Sequence, residues 1–200
     1  FIAIAVVKQL FGGLGQNFAN PAIVGRIVLM LSFTGNMTTW AIPRYWKEAG
    51  ADVVTGATPL VTESASYRDL FLGNTGGCIG ETSALALLIG FAYLLYRKVI
   101  TARIPLAYIL TVAVLTFLFP LGNDRIAWML AQVFGGGLML GAIFMATDYV
   151  TSPVTKLGQL IYAAGCGILT VMIRYFGGYN EGVSYAILCM NTCVVLLDRI

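Results

Sequence analysis

Residues 126–146 read IAWMLAQVFGGGLMLGAIFMA, an apolar run without a charged residue that three glycines interrupt near its centre. A helix that crosses the hydrocarbon core of a bilayer needs about 20 mainly apolar residues, so this run is long enough for one span. Glycine is a weak helix former, and three glycines in succession predict a break. The run therefore predicts a membrane span that is discontinuous at residues 135–137.

The composition of the whole chain also favours a bilayer. Of the 200 residues, 58% are hydrophobic and 10% are charged, whereas soluble domains carry about 25% charged residues. The absence of histidine excludes histidine-ligated haem and Ser-His or Cys-His dyads within this chain. The cysteines do not have the spacing of zinc or iron–sulfur sites, and we interpret them as small buried hydrophobic residues. They are Cys78, Cys166, Cys189 and Cys193.

Six other apolar segments are candidate spans. Phe1 to Phe11 is too short and resembles the end of a longer span, so we expect the sequence to begin partway through a larger protein. The next segment opens with Asn-Pro-Ala, and proline suits the first turn of a helix. The candidates, with approximate ends, are 1–11, 21–42, 80–96, 104–121, 157–176 and 182–197.

Breaks rich in glycine and asparagine recur at the edges of these segments, as in LGNTGGCIGET (72–82) and GGYNEGVS (177–184). A broken helix at membrane depth exposes backbone groups, which are tolerated only where they face protein, a cavity or a ligand. Paired breaks are typical of transporter-like folds, although a single glycine also serves close helix packing. The predicted fold class is an all-α polytopic membrane protein: one domain over residues 1–200, a multi-helix bundle with broken helices and inverted repeats.

Basic residues in short loops predict the orientation. The segment RKVITAR (97–103) holds three of them, which places it in the cytoplasm. Alternation of the spans then puts residues 151–156 and 198–199 on the same side. It puts the polar loop 43–75, together with 122–125 and 177–181, outside the cell membrane.

Asp148 is the acidic residue whose position most favours a function. It lies near a helix C-terminus, where the helix dipole disfavours an anion, so Lys156, a neighbouring hydroxyl or a ligand should stabilise it. Thr147, Thr151 and Ser152 are close to it in sequence. The four residues Thr147, Asp148, Thr151 and Ser152 form a candidate inner-side site for an ion or ligand.

Other charged residues near span ends have simpler interpretations. Glu81 and Glu181 open helices, where the dipole favours a carboxylate, and we interpret them as caps. Arg174 lies late in its span, and its long side chain is expected to reach the membrane interface.

The outer loop contains a short motif, D-x-x-T-G-A-T, formed by residues 52–58. Gly56 permits a sharp turn, and Pro59 restricts the backbone next to Thr58. Thr58 is therefore expected to display its hydroxyl. An ordinary surface turn explains these letters equally well when they are taken alone.

The motif and several other segments together resemble a known family. D-x-x-[S/T]-G-A-T resembles the flavinylation motif, whose last threonine carries FMN through a phosphoester bond. The chain resembles the family that includes the RnfD membrane component of the Rnf complex and, more distantly, the corresponding membrane component of the sodium-pumping NADH:quinone oxidoreductase. The supporting segments, in family order, are QNFANPAIVGR, DVVTGATPL, GNTGGCIGETSALALLIG, FMATDYVTSPVT and GGYNEGVSYAILCMNTCVVLLD.

This resemblance implies a function. The Rnf complex passes electrons between reduced ferredoxin and NAD, coupled to movement of Na⁺ or H⁺ across the membrane. The chain would be one electron-carrying subunit of this translocase, and a second, non-covalent flavin is possible by analogy with the quinone-reducing enzyme. The implied partners are a second covalent-FMN subunit, iron–sulfur subunits, a flavin transferase and membrane lipid, with no nucleic acid. The family has about ten helices, so the resemblance also implies that an N-terminal part is missing.

The resemblance also implies site residues. Thr58 would carry the covalent FMN, on the extracytoplasmic loop 43–75. Asp52, Thr55 and Gly56 complete the motif and would serve recognition by the transferase. In addition, we expect a glycine-rich break at the outer mouth of the third span to let the flavin approach backbone N–H groups. That break contributes Asn74, Gly76 and Gly77.

Two other classes of function remain open on the sequence. Broken helices also fit a solute channel or transporter without a redox role. A structural membrane protein that docks redox partners would keep the loop without a flavin. A flavin on Thr58 separates the first interpretation from both alternatives, because neither a passive channel nor a scaffold needs one.

Overall fold

The computed structural model describes residues 1–13, 15–38, 40–41, 55–56, 71–73, 77–78, 80, 82–122, 124–177 and 182–199. These residues are mainly helical, as predicted. Two stretches are wound with π-type hydrogen bonds, from Leu10 N to Ala5 O (3.2 Å) and from Ala146 N to Gly141 O (2.8 Å). The helices are α1 (Ile2–Gln9), α2 (Pro21–Ser32), α3 (Thr34–Thr38), α4 (Ala84–Tyr96), α5 (Arg103–Leu118), α6 (Arg125–Phe134), α7 (Leu138–Met145), α8 (Lys156–Phe176) and α9 (Val183–Leu197).

One short ladder departs from the all-α prediction. Strands β1 (Trp40–Ala41) and β2 (Thr55–Gly56) pair antiparallel, with Trp40 opposite Gly56 and Ala41 opposite Thr55. The pairing places part of the D-x-x-T-G-A-T motif beside the residues that follow α3.

Four helices, α2, α4, α5 and α9, are shorter than the predicted spans, whereas α8 covers the whole of its span. Within the described residues, only α8 is long and apolar enough by itself to cross a membrane, and α6 with α7 qualifies as one span bent by 57°. The apolar helices α2, α4, α5 and α9 have 10–17 residues each. Inverted repeats stay a prediction.

The predicted span 21–42 is divided after Ser32. Phe33 leaves the helical conformation, with φ −134° and ψ 49°, and α3 starts at the next residue. The Thr34 hydroxyl donates to Met30 O (2.7 Å). Threonine hydroxyls that bond to the preceding turn compete with the helical backbone, which accounts for the division.

Side-chain caps start two of the helices, one of them at the predicted proline. Asn20 Oδ1 accepts from Ala22 N (3.0 Å) and Ile23 N (3.4 Å), and Pro21 occupies the first turn of α2. Asn20 Nδ2 also donates a long hydrogen bond to Met145 O (3.5 Å), at the end of α7. Asp124 Oδ1 caps α6 by accepting from Ile126 N (3.1 Å).

Helix α8 lies between α5 and α9 at the centre of the bundle. Tyr108 of α5 and Thr170 of α8 are fully buried, and their hydroxyl oxygens lie 2.6 Å apart. Gly167 allows the close approach of these two helices, because a Cβ built there would lie 2.7 Å from Cβ of Thr111. The α5–α8 contact thus depends on a small residue, as is common between membrane helices.

The ends of the helices group as the alternation of spans predicts. Tyr149 Oη donates to Val99 O, and Val154 N donates to Asp198 Oδ1 (2.8 Å), so the three predicted cytoplasmic segments lie together. We call this side the basic end, after five exposed residues: Arg97, Lys98, Arg103, Lys156 and Arg199. At the opposite end, Tyr175 Oη accepts from Trp128 Nε1 (2.9 Å) and donates to Phe119 O (2.7 Å).

The prediction that all cysteines are buried is wrong. Cys166 is buried in the core, Cys78 and Cys193 are half-buried, and Cys189 is exposed. Cys189 lies on the outer face of α9. A thiol behaves as a small, weakly polar group, so a face turned to lipid or to another protein accommodates it as a core does.

We expect Gly167→Ala to destabilise the protein, because the new methyl group would force α5 and α8 apart. Overpacking of this kind costs about 1–3 kcal/mol. The measurement is thermal unfolding of the purified protein in detergent. Gly35→Ala is the matched control, since a Cβ at Gly35 meets nothing within 4 Å. Equal melting temperatures for the two variants would contradict the close α5–α8 contact.

Candidate functional site

The break between α6 and α7 occurs at the three glycines, as predicted. Gly136 and Gly137 have φ values of 64° and 67°, in the left-handed region that side chains other than glycine rarely adopt. Helix α6 ends at Phe134, and α7 starts at Leu138 at an angle of 57° to it. The break exposes backbone carbonyls at the C-terminus of α6, which have no partners within that helix.

Arg174 of α8 reaches these carbonyls. Its Nη1 donates to Gln132 O (2.6 Å) and to Gln132 Oε1 (3.0 Å). Its Nη2 donates to Gly135 O (3.2 Å) and to Gly136 O (3.0 Å). A cation at a helix C-terminus is favoured by the helix dipole. The expected extension of Arg174 to the interface is therefore wrong: the side chain folds onto the break, where desolvated acceptors hold it more strongly than water would.

Arg26 of α2 lies on another side of the same break. It lines a small cleft of about 10 Å³ with Gly136, Gly137 and Ser184. Its Nη2 also donates to Cys78 Sγ (3.2 Å). The remaining lining residues are Leu140, Met145 and Val183.

The break is thus flanked by two arginines that belong to different helices. A charged side chain within a membrane span is costly, and where one is retained it usually serves a ligand, an ion or a backbone partner. Arg174 is committed to the carbonyls of the break. Arg26 contacts Cys78 and lines the cleft.

The structure describes only part of the predicted flavin site. Asp52, Thr58, Asn74 and Gly76 lie outside the described residues. Thr55 and Gly56 form β2. Gly77 is half-buried and precedes Cys78, which contacts Arg26, so this end of the glycine-rich segment lies beside the cleft.

The four residues of the predicted inner-side site have different contacts. Thr151 Oγ1 donates to Asp148 Oδ2 (3.1 Å), so a neighbouring hydroxyl partners the carboxylate, which was one of the three expectations. Ser152 contacts Asp148 through its backbone, from Ser152 N to Asp148 O (3.0 Å). The Thr147 hydroxyl instead donates to Ile143 O of its own helix (2.6 Å). The structure therefore brings Asp148 and Thr151 together by their side chains.

A buried polar group behind this pair escaped the sequence analysis. Asn191 of α9 is 4% exposed, and Tyr162 of α8 is fully buried. With its nitrogen facing the surrounding acceptors, the Asn191 amide donates to Tyr162 Oη (2.7 Å), Ile187 O (3.2 Å) and Thr151 O (3.2 Å). The amide thereby joins α9 and α8 to the segment that holds Asp148.

A polar residue inside an apolar segment is the signal that could have identified these positions. Asn191 lies in AILCMNTCVVLL, Gln132 in WMLAQVF and Arg26 in AIVGRIVLML. Buried polar groups require hydrogen-bond partners, so each predicts a tertiary contact. The partner itself, in each case distant along the chain, does not follow from the sequence.

Comparison with known proteins gives a consistent relationship. A model of the NQR2, RnfD, RnfE family matches residues 1–200. A protein of Acetobacterium woodii is 53% identical over 207 residues, which cover 98% of this chain and 61% of that protein. It is named as the subunit designated D of a Na⁺-translocating ferredoxin:NAD⁺ oxidoreductase complex.

Two further relatives carry related names and the same designation. The subunit of the proton-translocating ferredoxin:NAD⁺ oxidoreductase complex of Clostridium ljungdahlii is 45% identical, over 100% of this chain and 64% of that protein. The subunit of the ion-translocating oxidoreductase complex of Stutzerimonas stutzeri is 40% identical, over 99% of this chain and 66% of that protein. The chain thus spans less than two thirds of the length of each of these relatives.

We expect Asn191→Leu to destabilise the protein, because it leaves Thr151 O and Tyr162 Oη without this donor. A buried polar group that loses its partner costs about 1–3 kcal/mol. Thermal unfolding in detergent measures the effect. Thr192→Val, at an exposed hydroxyl that donates to Cys189 O of its own helix, is the control. A variant Asn191→Leu as stable as this control would show that the amide does not join the three segments.

Proposed function

Since the chain belongs to the NQR2, RnfD, RnfE family, we propose that it is the electron-carrying membrane subunit of an ion-translocating ferredoxin:NAD oxidoreductase complex. The observation that carries the proposal is 53% identity, over 98% of this chain, to a protein named as one subunit of such a complex. A broken span flanked by arginines supports it, because such side chains within a membrane usually mark functional sites.

The redox group of the proposal is a covalent FMN on Thr58. The D-x-x-T-G-A-T motif of residues 52–58 supports it. A transferase would move the whole FMN group from FAD to Thr58. The Thr58 hydroxyl oxygen would form a bond to the phosphorus of FMN and lose its proton, and AMP would leave. FMN supplies a carrier that accepts and releases one or two electrons. The phosphoester keeps this carrier attached on the outer side, where a free flavin would diffuse away.

The described residues at the broken span fit one part of a flavin. The guanidinium of Arg26 lines the cleft and suits the negative charge of a reduced ring. The cleft has a volume of only about 10 Å³, far below the roughly 300–1,000 Å³ of pockets that enclose small ligands. These residues would therefore contact one edge of a ring, from the covalent FMN or from a second, non-covalent flavin, and would not enclose it.

The proposed placement is a multi-pass subunit of the cytoplasmic membrane with the loop 43–75 on the extracytoplasmic side. The basic end supports it, because Arg and Lys accumulate in cytoplasmic loops. The proposed partners are the other membrane and peripheral subunits, including a second covalent-FMN subunit and iron–sulfur subunits. The chain covers 61–66% of three relatives that are named as subunits of such complexes.

A second candidate function is that of a solute channel or transporter without a redox group. The bent span α6–α7 favours it, because discontinuous helices form substrate and ion sites in transporters. The presence of a covalent flavin discriminates between the two functions.

We expect the denatured wild-type protein, from cells that contain the flavin transferase, to give a fluorescent band under ultraviolet light. Thr58→Ala should abolish the band, because alanine has no hydroxyl for the phosphoester. Thr55→Ala is the comparison, since it removes a motif hydroxyl that is not the attachment atom and should leave residual labelling. Mass spectrometry of the peptide that contains residue 58 measures the same bond. An unmodified wild-type peptide would contradict the flavoprotein proposal.

We further propose that Asp148 and Thr151 bind the coupled ion at the basic end. Asp148→Asn removes the charge and should abolish coupled ion uptake by proteoliposomes that hold the complete complex. Thr151→Val should reduce the apparent affinity for the ion about tenfold or more, because a hydrogen bond to a charged group contributes about 1.5–3 kcal/mol. Thr147→Val is the control, as that hydroxyl bonds within its own helix. Unchanged uptake by Asp148→Asn would remove the residue from the ion path.

A further inference from the structure

The guanidinium of Arg174 donates hydrogen bonds to four oxygens at the break between α6 and α7. Each of its terminal nitrogens meets two acceptors, at 2.6 and 3.0 Å for Nη1 and at 3.2 and 3.0 Å for Nη2. A guanidinium is planar and carries its donors in a rigid fork, whereas an ammonium is a compact charge. The four oxygens form two pairs, one pair for each terminal nitrogen, so their arrangement suits a guanidinium better than an ammonium.

The acceptors are also shielded from water and electrically negative. Gln132 is 5% exposed, so its amide oxygen has little access to solvent. Its carbonyl lies in the last turn of α6, where the helix dipole is negative. An unpaired set of oxygens in such a place would be costly, which favours any cation of the right shape.

We propose that these oxygens form a binding site for a guanidinium-type cation, which the chain fills with its own Arg174. The site consists of Gln132 O, Gln132 Oε1, Gly135 O and Gly136 O. The bound side chain holds the bend between α6 and α7 at one angle. A free guanidinium ion enters the same site when the side chain is removed.

A neighbouring contact keeps α6 and α8 together without Arg174. Trp128 Nε1 donates to Tyr175 Oη (2.9 Å), and Tyr175 Oη donates to Phe119 O (2.7 Å). These bonds join α6, α8 and the end of α5 one helical turn from Gln132. Shortening residue 174 therefore leaves a vacancy between helices that remain in contact.

The test is chemical rescue in the full-length subunit within its complex, carried as a fluorescent-protein fusion. Thermal stability is followed by fluorescence-detected size-exclusion chromatography in detergent. Arg174→Ala should lose several degrees of thermal stability, and millimolar guanidinium chloride should restore most of this loss in a saturable way. Equal concentrations of sodium chloride should not restore it. Arg125→Ala, at an exposed arginine of the same α6, should show neither the loss nor the rescue.

Two more variants test the proposal if Arg174→Ala does not accumulate in cells. Arg174→Lys retains the charge without the fork, so it should be less stable than the wild type and should not respond to guanidinium, because the ammonium blocks the site. Gln132→Leu removes one acceptor and should lower the melting temperature by less than Arg174→Lys. Rescue by sodium chloride, rescue of Arg125→Ala, or wild-type stability of Arg174→Lys would each overturn the proposal.

Discussion

A backbone carbonyl inside a membrane must find a donor within the protein, and the break in the α6–α7 span creates several carbonyls that α6 cannot satisfy. Arg174 supplies the donors from the neighbouring α8. The bent span is tolerated because this charged side chain donates the hydrogen bonds that the next turn of α6 would otherwise have supplied. These hydrogen bonds hold the end of α6 and the glycine break against α8, next to the cleft lined by Arg26.

The structure separates two polar regions within an apolar bundle. The break and its two arginines form one region, and Asp148 with Thr151 forms the other, at the basic end. A positive region favours electron-rich groups, and a carboxylate favours cations. In the proposed function, the first region suits the redox partner and the second suits the coupled ion. Helix α7 connects the two regions, because it starts just after Gly137 and ends at Met145, three residues before Asp148.

Local chemistry allowed part of this arrangement to be predicted. The three glycines located the break, and Pro21 marked a helix start, because first-turn and glycine conformations depend on neighbouring residues. The direction of the Arg174 side chain was mispredicted, since its acceptors lie 38–42 residues away in the chain. Sequence periodicity carries no information on such partners. The motif at residues 52–58 was found through its resemblance to a family.

The long hydrogen bond from Asn20 to Met145 O has a consequence for Asp148. Through this amide, the positive start of α2 faces the negative end of α7, head to tail. Opposite partial charges at such short range largely cancel, so the local field beside Asp148 is weaker than that of an isolated helix terminus. The negative end of α7 therefore repels the Asp148 carboxylate less than an isolated helix end would, and the exposed residues of the basic end add a favourable positive charge.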